Sequence, residues 1–361
     1  MPVVAYQPLA TTSYPHRRCS CILSQLCSIY GVFGSLLLLL CLATTWWYAF
    51  IKMMYLDPIK ISCPRNETQR QDPGGCYPQR HNIASRIVKH MEHLEGLHER
   101  AAHLKHSFAN ASPFPHVHTD NLFPEDVLHL LRKEFPEPTG TLFDGSLLQC
   151  AWAAIRGWRC IRKRGAGFLK IQNSNERTMG PNLQGVITAM KSHPFITFLE
   201  YLTGIAPLFV DDTNEGSGQH QILRGGSLQI HADFNMIRAN AGLYRRVNVF
   251  LYLNHDWDEA WGGDLELWDR SMSTCAARIR PLNNRLVVFS TTDFSYHGHA
   301  DPLLCPVYRS RRSIAMYYYT TQPAALADRL TDSDGNLVPH STLYQDRKCE
   351  SCLNAQCRAH G

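Results

Sequence analysis

GGSLQIHADFN, residues 225–235, opens the stretch that decides the fold. Four runs follow it: RRVNVFLYLN at 245–254, WGGDLELW at 261–268, NRLVVFSTTDFSYHGH at 284–299 and RSRRSIAMYYYTT at 309–321. Each run is apolar, β-branched or aromatic and is bounded by turn residues, which predicts an all-β core. Gly262-Gly263-Asp264 reads as a tight turn between two of its strands.

His231 and Asp233 are two residues apart. On a strand, positions i and i+2 share a face, so an imidazole and a carboxylate are aimed at one point. A third metal ligand is available in Tyr296-His297-Gly298-His299, with His297 favoured and His299 the alternative. Two histidines and one carboxylate leave about half of an octahedral shell open, the arrangement of non-haem iron(II) oxygenases. Such enzymes need a carboxylic co-reductant fixed at its far end. Arg311 supplies a guanidinium fork and Ser313, two residues on, a hydroxyl on the same strand face. Together they suit the distal carboxylate of 2-oxoglutarate.

His-Ala-Asp, a histidine some 65 residues later, and Arg-x-Ser on the following strand, in that order, resemble the iron(II)/2-oxoglutarate oxygenases. Within them the chain looks most like the prolyl 4-hydroxylase branch. The resemblance begins at Phe114-Pro115-His116-Val117 and Asn121-Leu122-Phe123-Pro124 and runs to Thr321. It implies a double-stranded β-helix, a jelly roll that is mostly β with flanking helices. It also implies iron(II), 2-oxoglutarate and O2, with ascorbate as reductant, and hydroxylation of a C–H bond in a protein or peptide, peptidyl proline first. Asn248 falls where related enzymes carry a polar residue near the cosubstrate. Two positions depart from the prolyl hydroxylase pattern. Leu228 stands where those enzymes place a tyrosine, and Pro302-Leu303 follows His299 by three residues but His297 by five.

Other readings of the same residues stay open. The substrate could instead be another protein side chain, a glycan or a lipid. A jelly-roll binding module without turnover would keep the strands, and a zinc hydrolase would use the same ligand types. Zinc hydrolases, however, usually bring a glutamate base on a helix, as in H-E-x-x-H, which this sequence lacks.

Outside the core, residues 1–28 form a polar tail. The chain then carries no charge from Cys19 to Ile51 and holds the run Leu36–Leu40, with Trp46, Trp47 and Tyr48 at one border. About 20 apolar residues span a bilayer, and interfacial aromatics flank such spans, so residues 29–51 are expected to form a single-pass anchor. Asn66-Glu67-Thr68 is a glycosylation acceptor pattern, and Cys63 and Cys76 bracket a Pro/Gly-rich loop. Both favour a catalytic domain in the ER or Golgi lumen over a cytoplasmic one. The basic residues beyond the span argue the other way.

Residues 52–113 read as a linker and helical stem, helical over His81–Phe108, and a homodimer through the stem is possible. Residues 114–321 form the oxygenase domain and 322–361 a tail with Cys349, Cys352 and Cys357, whose simplest use is disulfides. Helices are expected at Pro124–Arg132 and Ser192–Leu202, and a mobile loop at Asp211–Gln221. The net charge of +5 over 361 residues is mild and dispersed, which gives no nucleic-acid footprint.

Overall fold

The computed structural model describes residues 95–138, 150, 154, 158–163, 166–237 and 242–347. The expected anchor at 29–51, the tail before it, the linker and the cluster of cysteines from Cys349 onward lie outside them. Among the described residues no helix is long and apolar enough to cross a membrane.

Among the described residues twelve strands form the body: β1 His116–Asp120, β2 Arg159–Lys163, β3 Gly167–Asn173, β4 Phe209–Val210, β5 Gly218–Ala232, β6 Tyr244–Tyr252, β7 Leu265–Trp268, β8 Cys275–Ile279, β9 Arg285–Ser290, β10 His297–His299, β11 Ser310–Thr320 and β12 Leu343–Tyr344. They run in the order β1-β9-β6-β11-β5-β10-β7-β8, with every pair antiparallel. This is the all-β core expected from the runs, arranged as the mostly β, barrel-like jelly roll that the resemblance implied.

Strand β5 is the pivot. Its first half pairs with β11, Ile222 opposite Arg311 and His220 opposite Ser313, and its second half pairs with β10, His231 opposite His297. The opposite edge is taken by β3 and then by β12, which puts Tyr344 against His231. The changeover falls at Gly225-Gly226, where a side chain on Gly226 would stand 2.8 Å from the carbonyls of Leu223 and Phe168.

Among the described residues four helices lean on the sheet: α1 Glu95–Ala109, α2 Glu125–Lys133, α3 Pro181–Met190 and α4 His193–Thr203. In α2 the sequence signals act as expected. Pro124 precedes it, Glu125 and Asp126 occupy the first turn, Arg132 and Lys133 the last, and Val127, Leu128 and Leu131 are buried. Helix α4 stops at Gly204, whose φ of 70° is the left-handed conformation of a helix end. Along α1, Leu97, Ala101 and Phe108 bury into the same core as Phe198 and Leu202 of α4. That face of the stem is thus covered by its own chain. The interior of the sheet, Val247, Val249, Leu251, Leu286, Val288, Ile314 and Met316, joins the helices in one cluster.

The expected mobile loop at Asp211–Gln221 is shorter than its polarity suggested. The Asp211 carboxylate accepts from the backbone N–H groups of Thr213 (2.7 Å) and Glu215 (2.6 Å), and the chain enters β5 at Gly218. Gln219, His220 and Gln221 are polar yet buried because each finds a partner. For instance, Gln221 Nε2 donates to Ser310 Oγ at 2.8 Å. The stretch around Trp158 contributes β2 and β3, a hairpin against β5, and Cys150 is disulfide-bonded to Cys160.

Candidate active site

His231 and His297 face each other across the β5–β10 ladder with ring centroids 4.5 Å apart. Their Nδ1 atoms lie 2.7 Å from the Gln229 carbonyl and 2.9 Å from that of Ser295. A carbonyl accepts only from an N–H, so the proton sits on Nδ1 and the lone pair on Nε2 is free. Both Nε2 atoms point at Asp233, 3.5 Å from Oδ1 for His231 and 3.4 Å from Oδ2 for His297. Burial pushes the His297 imidazole down to about 4 despite the nearby Asp233 charge, so it stays neutral. Burial alone would raise the Asp233 carboxyl. The Arg245 guanidinium, followed by the two histidines, outweighs it and holds Asp233 well below the usual carboxylate range.

Among the described residues these three are the one group of histidine, cysteine or acid side chains that could hold a metal, their donor atoms all within 4.8 Å of one another. Two imidazoles with Nε2 turned toward a buried carboxylate fit iron(II). His299 is not in the group. The ladder shifts register between His297, opposite His231, and His299, opposite Leu228, which carries His299 away from Asp233.

A cavity of about 240 Å³ opens beside the three residues, and Arg311 and Ser313 both line it. Arg311 Nε donates to the Gly263 carbonyl (2.6 Å) and Nη2 to the Tyr252 hydroxyl (3.0 Å). Gly263 has φ 80°, and a side chain there would press on the Arg311 Cδ at 3.1 Å, so the turn residue is glycine. The predicted clamp thus meets the predicted metal ligands in one cavity. Asn248 lies elsewhere: it is fully buried behind Asp233, donating from Nδ2 to Oδ2 at 2.7 Å and accepting from Arg245 Nε at 2.8 Å. It acts on the carboxylate rather than on the cavity surface.

Tyr252, Arg245, Lys170, His220 and Tyr344 also line the cavity and stand outside the motifs that mark the site in the sequence. Tyr252 had a signal, being two residues from Phe250 and opposite Ser313 on the cavity face. Arg245 had none, because a bulge opposite Tyr318 and Tyr319 shifts it to that face. The segment after β11 also builds the site. Gln345 N donates to the Ile230 carbonyl (2.8 Å), Asn235 Nδ2 to that of Val338 (2.9 Å), and Thr342 and Tyr344 line the cavity.

A two-histidine, one-carboxylate site inside an antiparallel jelly roll, with an arginine across the cavity, is the architecture of an iron-dependent oxygenase. Residues 218–319 match the model of the 2OG-Fe(II) oxygenase superfamily, which supports reading the chain as a 2-oxoglutarate-dependent dioxygenase. No curated protein matches. The chain is similar to several solved structures. One is a prolyl hydroxylase from Trichoplax adhaerens, in complex with a peptide fragment of the hypoxia inducible factor oxygen degradation domain. It shows 14% identity and a TM-score of 0.42, over 63% of this chain and 91% of that one. Another is a Pseudomonas putida prolyl-4-hydroxylase, with 14% identity and a TM-score of 0.37, over 60% and 97%. A third is HygX from Streptomyces hygroscopicus, with nickel and 2-oxoglutarate bound, at 10% identity and a TM-score of 0.37, over 63% and 93%.

Proposed function

We propose that the protein hydroxylates a C–H bond of a peptide, peptidyl proline being the first choice, with iron(II) held by His231, Asp233 and His297 and 2-oxoglutarate anchored on Arg311 and Ser313. The observation that carries this reading is the meeting of the three donor side chains and the Arg311 guanidinium in one cavity. When bound, iron(II) with 2-oxoglutarate and O2 supplies the oxidising power, the cosubstrate leaving as succinate and carbon dioxide.

The chain's own residues bind, orient and shield. The Gln229 and Ser295 carbonyls fix both imidazoles with Nε2 inward. Arg245 and Asn248 hold Asp233 ionised and in place. Tyr252 and the Gly263 carbonyl aim Arg311 into the cavity, where a carboxylate can be gripped in two-pronged fashion. Tyr344, 41% exposed with its ring 5.5 Å from that of His231, and Thr342 stand on the side open to substrate. Support for a peptide comes from the prolyl 4-hydroxylase-like motifs. Leu228, which lines the cavity where those enzymes place a tyrosine, favours a second reading in which another side chain is hydroxylated.

An anaerobic titration of the solubilised full-length protein with iron(II) and 2-oxoglutarate tests the site. A visible charge-transfer band is expected, reduced in Arg311→Ala at the same cosubstrate concentration. Folded protein without a band would remove the oxygenase reading. Substrate is tested by mass spectrometry of proline-containing peptide pools incubated with iron(II), 2-oxoglutarate, O2 and ascorbate, where a gain of one oxygen on proline is expected. The proposal includes the anchor at 29–51 with the catalytic domain in the lumen, supported by the apolar run and the acceptor pattern at Asn66. A glycosidase-sensitive mass shift that disappears in Asn66→Gln is expected. Labelling of engineered cysteines from the cytosolic side alone would reject the lumenal placement.

A further inference from the structure

Strand β3 lies outside the matched segment, yet it furnishes part of the cavity wall. Lys170 is directly opposite Ile222 of β5, and Ile222 is directly opposite Arg311 of β11. Opposed residues on neighbouring strands share a face, so the three form one row across the barrel wall, and all three line the cavity. Two strand spacings separate the ends of the row, roughly 10 Å between Cα atoms. Both end residues are long cations, able to converge over the isoleucine between them.

The charges of the cavity do not balance within the protein. Arg159, Lys170, Arg245 and Arg311 line it against the single carboxylate Asp233. Arg245 already answers Asp233, Nη2 to Oδ2 at 2.9 Å. Arg159 is exposed to water, but Lys170 is only 9% exposed and forms no ion pair among the described residues. Burial brings its ammonium down to about 8, so it is mostly charged at neutral pH. A buried charge is ordinarily matched by an opposite one. Beside it stands His299, 3% exposed and lining the same cavity, its ring engaged by the Asp301 backbone carbonyl. With Asp233 already taken by Arg245, the buried Lys170 ammonium calls for a further anion.

We propose that Lys170 is a second cation of the cosubstrate site, sharing with Arg311 the carboxylate of 2-oxoglutarate that does not bind the metal. The inference rests on the oxygenase reading above and adds a residue from β3 to it. It also bears on selectivity. A 2-oxo acid without the far carboxylate leaves two buried cations unanswered instead of one, so 2-oxopentanoate is rejected more steeply than Arg311 alone would achieve.

The test uses the full-length protein loaded with Mn(II), whose affinity is measured first, and then follows 2-oxoglutarate binding by calorimetry. Lys170→Met is expected to leave Mn(II) affinity unchanged and to weaken 2-oxoglutarate by at least about tenfold, as loss of one partner of a buried charge contact does. The preference for 2-oxoglutarate over 2-oxopentanoate should shrink in parallel, and Lys170→Arg should restore both. Lys170→Gln removes the charge while keeping a polar side chain, and gives the same comparison should Lys170→Met not fold. If the neutral variants bind 2-oxoglutarate as wild type does while Arg311→Met does not, the second cation is refuted and the oxygenase reading survives. If Mn(II)-loaded wild type binds no 2-oxoglutarate, both fall together.

Discussion

Arg245 Nη2 lies 2.9 Å from Asp233 Oδ2, and the same guanidinium sits 3.3 Å above the Tyr317 ring. Asp233 is thus held by a cation that is itself fixed by an aromatic face and by Asn248. Residues that hold a metal's carboxylate tune its affinity about as strongly as second-sphere groups do elsewhere, typically 10–100-fold. Asn248→Leu and Arg245→Met are each expected to weaken Mn(II) binding by about that factor, measured by competition with a chelator. Unchanged affinity in both would show that Asp233 needs neither.

The two histidines of β10 should separate cleanly. His297→Ala removes a donor atom from the group around Asp233 and is expected to abolish metal binding. His299→Ala should keep it, because the register shift takes that ring out of the group. Electron paramagnetic resonance of added Mn(II) reads both variants; metal loss in His299→Ala with retention in His297→Ala would reverse the assignment.

Gly298 sits between them with no room for a side chain. A Cβ there would lie 2.8 Å from the Leu228 carbonyl and 2.9 Å from that of Gln229. Gly298→Ala must push β10 off the metal strand and should cost about 1–3 kcal/mol, visible as a lower Tm. Gly96→Ala, where nothing lies within 4 Å, is the control and should not lower it. Equal melting of Gly298→Ala and wild type would mean that the ladder is looser than its distances indicate.

The segment after β11 should loosen with rising pH. His340 Nε2 lies 2.9 Å from Asp293 Oδ1. Burial works to lower the imidazole, but Asp293 and the Ser341 carbonyl outweigh it, and its pKa is raised above the ordinary 6.5. A histidine raised on folding contributes stability that is complete below its unfolded value and is lost as pH climbs through the folded one. Hydrogen exchange over 338–346, corrected for intrinsic rate, should be faster at about pH 8 than at about pH 6. In His340→Gln that pH dependence should vanish; persistence would assign it to another group.

Much of the site was legible because it obeys strand geometry. His231 with Asp233, and Arg311 with Ser313, are marked in the sequence by spacings of two, and all four line one cavity, Asp233 one residue past the end of β5. The choice between His297 and His299 was not legible, since alternation treats them alike and a shift in pairing with a distant strand decides it. Arg245 escaped for the same reason, being turned inward by a bulge that depends on Tyr318 and Tyr319. Lys170 and Tyr344 reach the cavity only through the partners of β5, a relation between segments far apart in the chain. The polar run Gln219–Gln221 misled because buried hydrogen-bond partners, here Ser310 and Asn173, are invisible locally.

Strand β12 is the last of the described strands to leave the ribosome, and it closes the edge of β5 beside His231. Until Leu343 and Tyr344 emerge, a nascent chain that has already folded its barrel presents the metal strand with an open edge. An edge of that kind recruits foreign strands. Order of synthesis therefore gives the protein a vulnerable interval, during which the half-made centre is a target for chaperones and for aggregation alike, and which ends when β12 docks.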